Sequence, residues 1–396
     1  MIKRFLEPYL RRDAGYYPVV TLTGPRQSGK TVLAKAAFPE HDYVNLEETE
    51  LRLFAKEDPR GFLNRFPRPV ILDEVQRVPD IFSYIQTAID RDDTPGRFIL
   101  TGSHNFLLMK ELSQTLAGRC GVLHLLPFSR AELEGNSPRE TTTSRELFSN
   151  QSTKLDLWPC VRTGFYPRIH DRGIPPEVWL ADYLQTYIER DVRSLVNVGD
   201  LETFERFLMI TAGRVGQLLN FSSLAGDCGI AVDTARRWIS VLKTSFIIML
   251  LTPHHRNFNK RLIKNPKLYF YDTGLVCHLL RIRDVNQLET HPLRGALFEN
   301  YVIAEVAKAY LHSRQTPPIY FWRDQSGHEI DLLVEEGTEL HPIELKSGQT
   351  FSPNMLDTLG WWCRLAGESP DHAMLVYGGN DSWELHGITV RPWFAV

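Results

Sequence analysis

Residues 24–31 constrain this chain more than any others: Gly24, Pro25, Arg26, Gln27, Ser28, Gly29, Lys30 and Thr31. They fit the spacing G-x-x-x-x-G-K-[ST] without a gap. An apolar run, Val19-Val20-Thr21-Leu22-Thr23, precedes them and reads as a strand, while Val32 to Ala37 reads as a helix. A glycine-rich turn between strand and helix aims several backbone N–H groups and the positive end of the helix dipole at one point. That point binds phosphate. The spacing sets Lys30 to reach the β- and γ-phosphates of a nucleotide and the Thr31 hydroxyl to ligate Mg²⁺.

The other half of such a site is a buried strand ending in an acid. Pro69-Val70-Ile71-Leu72-Asp73-Glu74 supplies it. Its consecutive apolar residues suit a parallel sheet covered on both faces, and its carboxylates then emerge at the C-terminal edge, where open α/β sheets bind ligands. Asp73 is placed to hold Mg²⁺, directly or through water, and Glu74 to polarise the attacking water. A third strand, Arg97 to Leu100, runs into Thr101-Gly102-Ser103-His104. A polar group there can sit between the acids and the γ-phosphate. Ser103 and Thr101 come ahead of His104 for this role, and a Ser or Thr that simply caps the next helix is the alternative. Past a helical stretch from Phe106 to Leu116 comes Ala117-Gly118-Arg119. Arg119 is a candidate to reach the nucleotide of a neighbouring subunit and neutralise charge on the transferred phosphoryl group.

The order of these motifs, GPRQSGKT, VILDE, FILTGS and LAGR, resembles AAA-type P-loop ATPases with their Walker A and Walker B motifs. LAGR followed by Leu126-Pro127-Phe128-Ser129 resembles one prokaryotic branch, in which the ATPase core is fused to a C-terminal domain of unknown function. The resemblance covers nearly the whole chain. It departs from the family pattern at His104, where an amide or small polar residue is expected. It implies ATP and Mg²⁺ as cofactors, ATP hydrolysis, and a homo-oligomer if Arg119 acts in trans.

A chain of 396 residues predicts two to three domains, and 43% hydrophobic with 23% charged residues are globular proportions. The net charge of −3 gives no overall basic character, so any DNA contact must use a local patch. The five cysteines are scattered, with no C-x-x-C pair, and read as buried hydrophobes in a reducing compartment. No apolar run resembles a signal peptide at the N-terminus, and the longest, Phe246 to Leu251, is too short to span a bilayer. The chain is therefore expected to be cytoplasmic, with no membrane partner.

The ATPase core is expected over residues 1–135, with strands near 18–23, 42–46, 69–73, 97–102 and 122–126. A linker and helical segment follows over 136–200. Ser, Thr, Asn, Pro and charge dominate from 135 to 156, which reads as loop. From Pro176, Leu180, Leu184, Ile188, Val192 and Leu195 recur at helical spacing, and Arg190 or Arg193 on the opposite face are secondary arginine candidates. Residues 201–290 read as three short helices and a β-hairpin, with Gly229 breaking the second helix from the third. Helix, tight turn, helix and basic hairpin is the pattern of a winged helix-turn-helix. Arg236, Arg237 and Lys243 fall on or near its recognition helix, and a module that packs against proteins rather than DNA is the alternative.

Residues 291–396 carry a second chemical signal. A helix containing Glu299 precedes Glu329-Ile330-Asp331 and Pro342-Ile343-Glu344-Leu345-Lys346, which read as two strands of a hairpin. Glu344 and Lys346 share one face of their strand. With Asp331 nearby, this D…E-x-K set can hold Mg²⁺ while Lys346 orients or deprotonates water, and Glu299 completes the site. The order of elements resembles the PD-(D/E)XK nuclease core, of restriction-endonuclease-like α/β fold. The chain thus reads as an ATPase coupled through its C-terminal domains to DNA or an unidentified partner protein. A nucleotide-gated switch with negligible turnover and an ATP-regulated metal-dependent nuclease are the alternatives.

Overall fold

A computed structural model describes residues 2–102, 115–137, 143–187, 201–255 and 264–396. The chain divides into two compact units: Met1–Phe128 with Thr244–Phe246 and Leu311–Gln315, and Ser129–Lys243 with Ile247–Tyr310 and Thr316–Val396.

The first unit is built on a parallel sheet of five strands, β1 (Val19–Thr23), β2 (Asp42–Asn45), β3 (Val70–Asp73), β4 (Phe98–Gly102) and β5 (Cys120–His124), in the order β2-β3-β4-β1-β5. Every residue of β1, β3 and β4 is buried, as strands covered on both faces require. Alternate residues divide between two cores. Val70, Leu72, Phe98 and Leu100 pack with Phe62, Phe82 and Ile85 on one face. Val20, Leu22, Ile71 and Ile99 pack with Leu10, Leu33 and Ala34 on the other. β4 lies between β1 and β3, with Val19 opposite Phe98 and Val70 opposite the same Phe98. Because all five strands run the same way, the turn after β1, the acids after β3 and the polar end of β4 meet at one edge. The last strand begins two residues earlier than the sequence pattern suggests. Pairing with β1 from Val19–Cys120 to Thr23–His124 sets it, and Cys120 and Gly121 carry too little apolar signal to mark it.

The second unit contains the helices Leu201–Ala212, Phe221–Cys228 and Val232–Thr244, followed by the antiparallel pair β6 (Ile248–Leu251) and β7 (Lys267–Phe270). Asn220 starts the second of these helices by accepting the Ser223 N–H, and Gly229 ends it with φ 68°. A mixed sheet of six strands follows: β8 (Ile319–Arg323), β9 (Glu329–Glu336), β10 (Glu339–Lys346), β11 (Met374–Tyr377), β12 (Trp383–Leu385) and β13 (Ile388–Pro392). Their order is β12-β13-β11-β10-β9-β8. β8, β9 and β10 are antiparallel neighbours, and β10, β11 and β13 are parallel. Trp322, Ile330, Leu333 and Leu375 pack with Leu359, Trp362 and Cys363 of the helix Asp357–Ala366.

The segment read as loop between 135 and 156 holds a one-turn helix, Ser144–Leu147. The Thr143 side chain accepts the Glu146 N–H, the Glu146 carboxylate accepts the Thr143 N–H, and Leu147 and Phe148 are buried. The capping box was present in the sequence, but two apolar residues are too few to show a period. The helix beginning at Pro176 is described to Tyr187, with Leu180 and Leu184 buried. Ile188, Val192 and Leu195, together with Arg190 and Arg193, lie outside the described residues. No helix among the described residues is long and apolar enough to cross a membrane.

Candidate nucleotide site and a second charged site

The turn after β1 is shaped by backbone that only glycine accommodates. A Cβ on Gly24, at φ 152°, would lie 2.1 Å from the Leu125 carbonyl oxygen, so the turn passes hard against the end of β5. Gly29, at φ 93°, opens the helix Lys30–Ala37 and directs the first N–H groups of that helix into the turn. Arg4 holds the turn from behind, donating to the Ser28 carbonyl at 2.8 Å and to the Leu126 carbonyl at 2.7 Å. Lys30 Nζ donates to the carbonyls of Gly24 (3.0 Å) and Pro25 (2.8 Å). Arg26 lies 4.0 Å from Glu47. Ser28 is fully buried, and its Oγ has no hydrogen-bond partner among the described residues.

Asp73 gathers the polar ends of the neighbouring elements. The Thr31 hydroxyl donates to Asp73 Oδ2 at 2.8 Å, the Tyr43 hydroxyl donates to the same oxygen at 2.8 Å, and the Thr101 hydroxyl donates to Oδ1. Burial, and then the Asp73 carboxylate, raises the Tyr43 phenol, which stays a donor. Glu74 follows in the left-handed region at φ 56°, which turns it away from the strand, and Gln76 Nε2 donates to its Oε2 at 2.5 Å. The structure therefore brings Gly24 to Thr31, Asp73 and Glu74 to one edge. Of the polar groups proposed at the end of β4, Thr101 is the one joined to Asp73; Ser103 and His104 lie outside the described residues. Tyr43 was missed, although its place on β2, which pairs with β3 and sets Tyr43 opposite Ile71, follows once the strand order is known.

Arg119 immediately precedes β5, at the N-terminal end of the strands, and forms an ion pair with Asp90. The glycine-rich turn lies at their C-terminal end. β1 and β5 run side by side from Val19–Cys120 to Thr23–His124, so Arg119 is a full strand length from its own Gly24.

The second site, wholly in the second unit, is assembled from pairs of residues two apart, which share a strand face. β9 contributes Glu329 and Asp331, β10 contributes Glu344 and Lys346, and β7 contributes Lys267 and Tyr269. Asn300 fixes β7 beside the helix Arg294–His312, accepting the Phe270 N–H at 2.6 Å and donating to the Phe270 carbonyl at 3.0 Å. Glu299 is thereby set against β7. Lys267 Nζ reaches Glu299 at 2.7 Å and also pairs with Glu329, while the Tyr269 hydroxyl donates to Glu299. Arg323 lies 2.9 Å from Glu329. Lys346 Nζ is 2.6 Å from Glu344 Oε2 and 3.9 Å from Asp331 Oδ2, so one ammonium serves both carboxylates. Asp331 Oδ2 also accepts the Leu345 N–H at 2.9 Å.

This crowding shows in the proton affinities. Burial, then the Asp331 charge, pushes Glu299 up to about 7 against the opposing pull of Lys267. The same two causes push Glu344 up to about 8 against Lys346. Glu344 Oε1 is buried without a hydrogen-bond partner among the described residues. One oxygen each from Glu299, Glu329 and Asp331 lies within 4.8 Å of the others, an arrangement a cation could bridge. The closest carboxylate set thus includes Glu329, which the sequence reading passed over, and leaves Glu344 paired to Lys346. The cause is Lys267, a cation from a strand more than thirty residues upstream of Glu299. The i, i+2 relation of Glu329 to Asp331 was the available signal.

In the helices ahead of β6, Arg236, Arg237 and Lys243 are exposed, and the Arg236 guanidinium lies 4.6 Å from the Phe221 ring centroid. Arg256 to Arg261 of the hairpin connection lie outside the described residues.

A family model described as an AAA domain matches residues 16–134. Models of two domains of unknown function, DUF8612 and DUF4143, match residues 155–286 and 294–395. The uncharacterized proteins Rv2008c of Mycobacterium tuberculosis and Mb2031c of Mycobacterium bovis are each 33% identical over 346 residues, which is 87% of this chain and 73% of theirs. The uncharacterized protein MJ1544 of Methanocaldococcus jannaschii is 20% identical over 334 residues, 80% of this chain and 72% of its own. Among solved structures, the Walker-type ATPase paby2304 of Pyrococcus abyssi is similar over 71% of this chain and 96% of its own. Its identity is 16% and its TM-score 0.45, a likeness too loose to carry an argument.

Proposed function

The chain belongs to the family of these mycobacterial proteins, with an AAA-type P-loop ATPase domain first and a DUF4143 domain last, and on that premise we propose that it binds ATP with Mg²⁺ and hydrolyses it. The observation that carries the reading is the Thr31–Asp73–Thr101 group at the mouth of the glycine-rich turn. A hydroxyl and a carboxylate 2.8 Å apart are the donor pair an octahedral Mg²⁺ takes. Mg²⁺, when bound, offsets charge on the phosphates. Lys30 exchanges its loop carbonyls for β- and γ-phosphate oxygens, and Glu74 orients water for attack on the γ-phosphorus, which releases ADP and phosphate. Phosphate release from purified protein tests this. Lys30→Ala is expected to lose nucleotide binding. Glu74→Gln is expected to keep binding and lose turnover on the order of 10²-fold or more, and normal turnover in Glu74→Gln would refute the assignment.

Arg119, a full strand length from its own glycine-rich turn, is proposed to serve a neighbour's site in a head-to-tail homo-oligomer. Arg119→Ala mixed with Glu74→Gln is then expected to regain part of the activity that each lacks alone. We propose further that the carboxylates around Asp331, with Glu299 and Glu344, take Mg²⁺ or Mn²⁺ in a nuclease-like site. The crowding of these carboxylates, with Glu299 and Glu344 held above their ordinary proton affinity, supports this. The exposed Arg236, Arg237 and Lys243 support a DNA contact by a winged helix, which DNA stimulation of phosphate release would test. Five cysteines, all free, suit a cytoplasmic protein.

A further inference from the structure

A third cluster lies on the other side of the six-stranded sheet. Side chains alternate along a strand, so Glu339 and His341 project from the face of β10 opposite Glu344 and Lys346. His372, from the short turn Pro370–His372 ahead of β11, meets them there. The two imidazole rings lie 4.8 Å apart between centroids. Glu339 Oε2 is 3.9 Å from His341 Nε2 and 3.8 Å from His372 Nε2. His341 is only 7% exposed, yet its Nε2 has no hydrogen-bond partner among the described residues. A buried ring nitrogen without a partner, aimed at a carboxylate and a second imidazole, is costly to leave unsatisfied.

We propose that Glu339, His341 and His372 bind a zinc ion. Imidazole nitrogen and carboxylate oxygen are zinc donors, and tetrahedral bonds near 2.0–2.1 Å need donors roughly 3.3 Å apart, about half an ångström closer than the two Glu339 separations. Glu339 is exposed and free to make that adjustment. Glu336 Oε2, 3.5 Å from His341 Nε2, is the nearest source of a fourth ligand. The second nitrogen of His372, Nδ1, faces Glu368 Oε2 at 3.5 Å, the carboxylate–histidine arrangement that orients a metal-binding imidazole. The ion would staple the start of β10 to the turn before β11. This site is separate from the ATPase reading and from the carboxylates around Asp331.

The test uses the full chain, stripped with a chelator, dialysed and titrated with Zn²⁺ by calorimetry and with Co²⁺ by visible absorption. One equivalent of zinc is expected, with the intense visible band that tetrahedral Co²⁺ gives and six-coordinate Co²⁺ on carboxylates does not. His341→Gln and His372→Gln are each expected to remove that equivalent and the band, and Glu368→Gln to weaken zinc about 10–100-fold. Asp331→Asn is expected to leave both in place. If His341→Gln fails to fold, the more exposed His372→Gln decides. Retention of the equivalent in folded His372→Gln, its loss in Asp331→Asn, or no tetrahedral band in the wild type would each overturn the proposal.

Discussion

Lys267→Met tests whether the charged site of the second unit is held together by one buried cation. Lys267 is 3% exposed, and its ammonium is 2.7 Å from Glu299 while also pairing with Glu329. Methionine keeps the length of the side chain and removes the charge, leaving Glu299, Glu329 and Asp331 facing one another. Removing one partner of a buried pair costs about 3–5 kcal/mol. The cost depends on pH in a definite direction. Glu299 has a folded value of about 7 against an ordinary 4.5, raised by burial and by Asp331 and held down by Lys267. A carboxyl raised on folding binds its proton more tightly in the folded state. Its contribution favours the folded form in acid and is lost as pH rises through the folded value. Without Lys267, Glu299 holds its proton still more tightly. At pH 6 the variant therefore escapes much of the penalty by keeping Glu299 neutral. At pH 8.5 keeping that proton, or giving it up, costs more against an ionised unfolded carboxyl, and the loss should approach the full ~3–5 kcal/mol. Urea unfolding followed by tryptophan fluorescence reads this selectively, because all 8 tryptophans lie in the second unit. Glu344, at about 8, titrates in both proteins, so variant and wild type are compared at each pH. The double variant Lys267→Met/Glu299→Gln should recover much of the loss at pH 8.5. A loss below about 1 kcal/mol at pH 8.5, the size of an exposed pair, would refute the reasoning, as would equal losses at both pH values.

Gly24→Ala should abolish nucleotide binding and cost on the order of 1–3 kcal/mol, read by thermal shift, since its Cβ would fall 2.1 Å from the Leu125 carbonyl oxygen and the turn must move. Asp73→Asn should retain binding of a fluorescent ATP analogue in EDTA but lose roughly tenfold or more of the gain that Mg²⁺ provides, because an amide cannot accept from all three hydroxyls of Thr31, Tyr43 and Thr101. Mn²⁺ affinity at the carboxylates around Asp331, followed by the paramagnetic resonance of free Mn²⁺, should rise from pH 6 to pH 8.5 as Glu299 and Glu344 lose protons near 7 and 8; Asp331→Asn should weaken it at every pH.

The glycine-rich turn, the Val70–Asp73 strand and the E-x-K strand were readable in the sequence because each is a local pattern. Strand, turn and helix follow one another within a few residues, and the chemistry of each motif needs no knowledge of distant chain. The hairpin of β9 and β10 was equally local, closed by Gly337 and Thr338 alone. What the sequence could not order was which strand lies beside which. Insertion of β4 between β1 and β3 brought Thr101 onto Asp73, and β2 at the sheet edge brought Tyr43. Lys267 and Tyr269 reach Glu299 only because Asn300 clamps β7 against the helix, and His372 reaches His341 only because β11 returns beside β10. Local geometry repeats with the period of a helix or a strand and is written into neighbouring residues. A contact between residues far apart in the chain depends on how whole elements pack, which no short run of sequence contains.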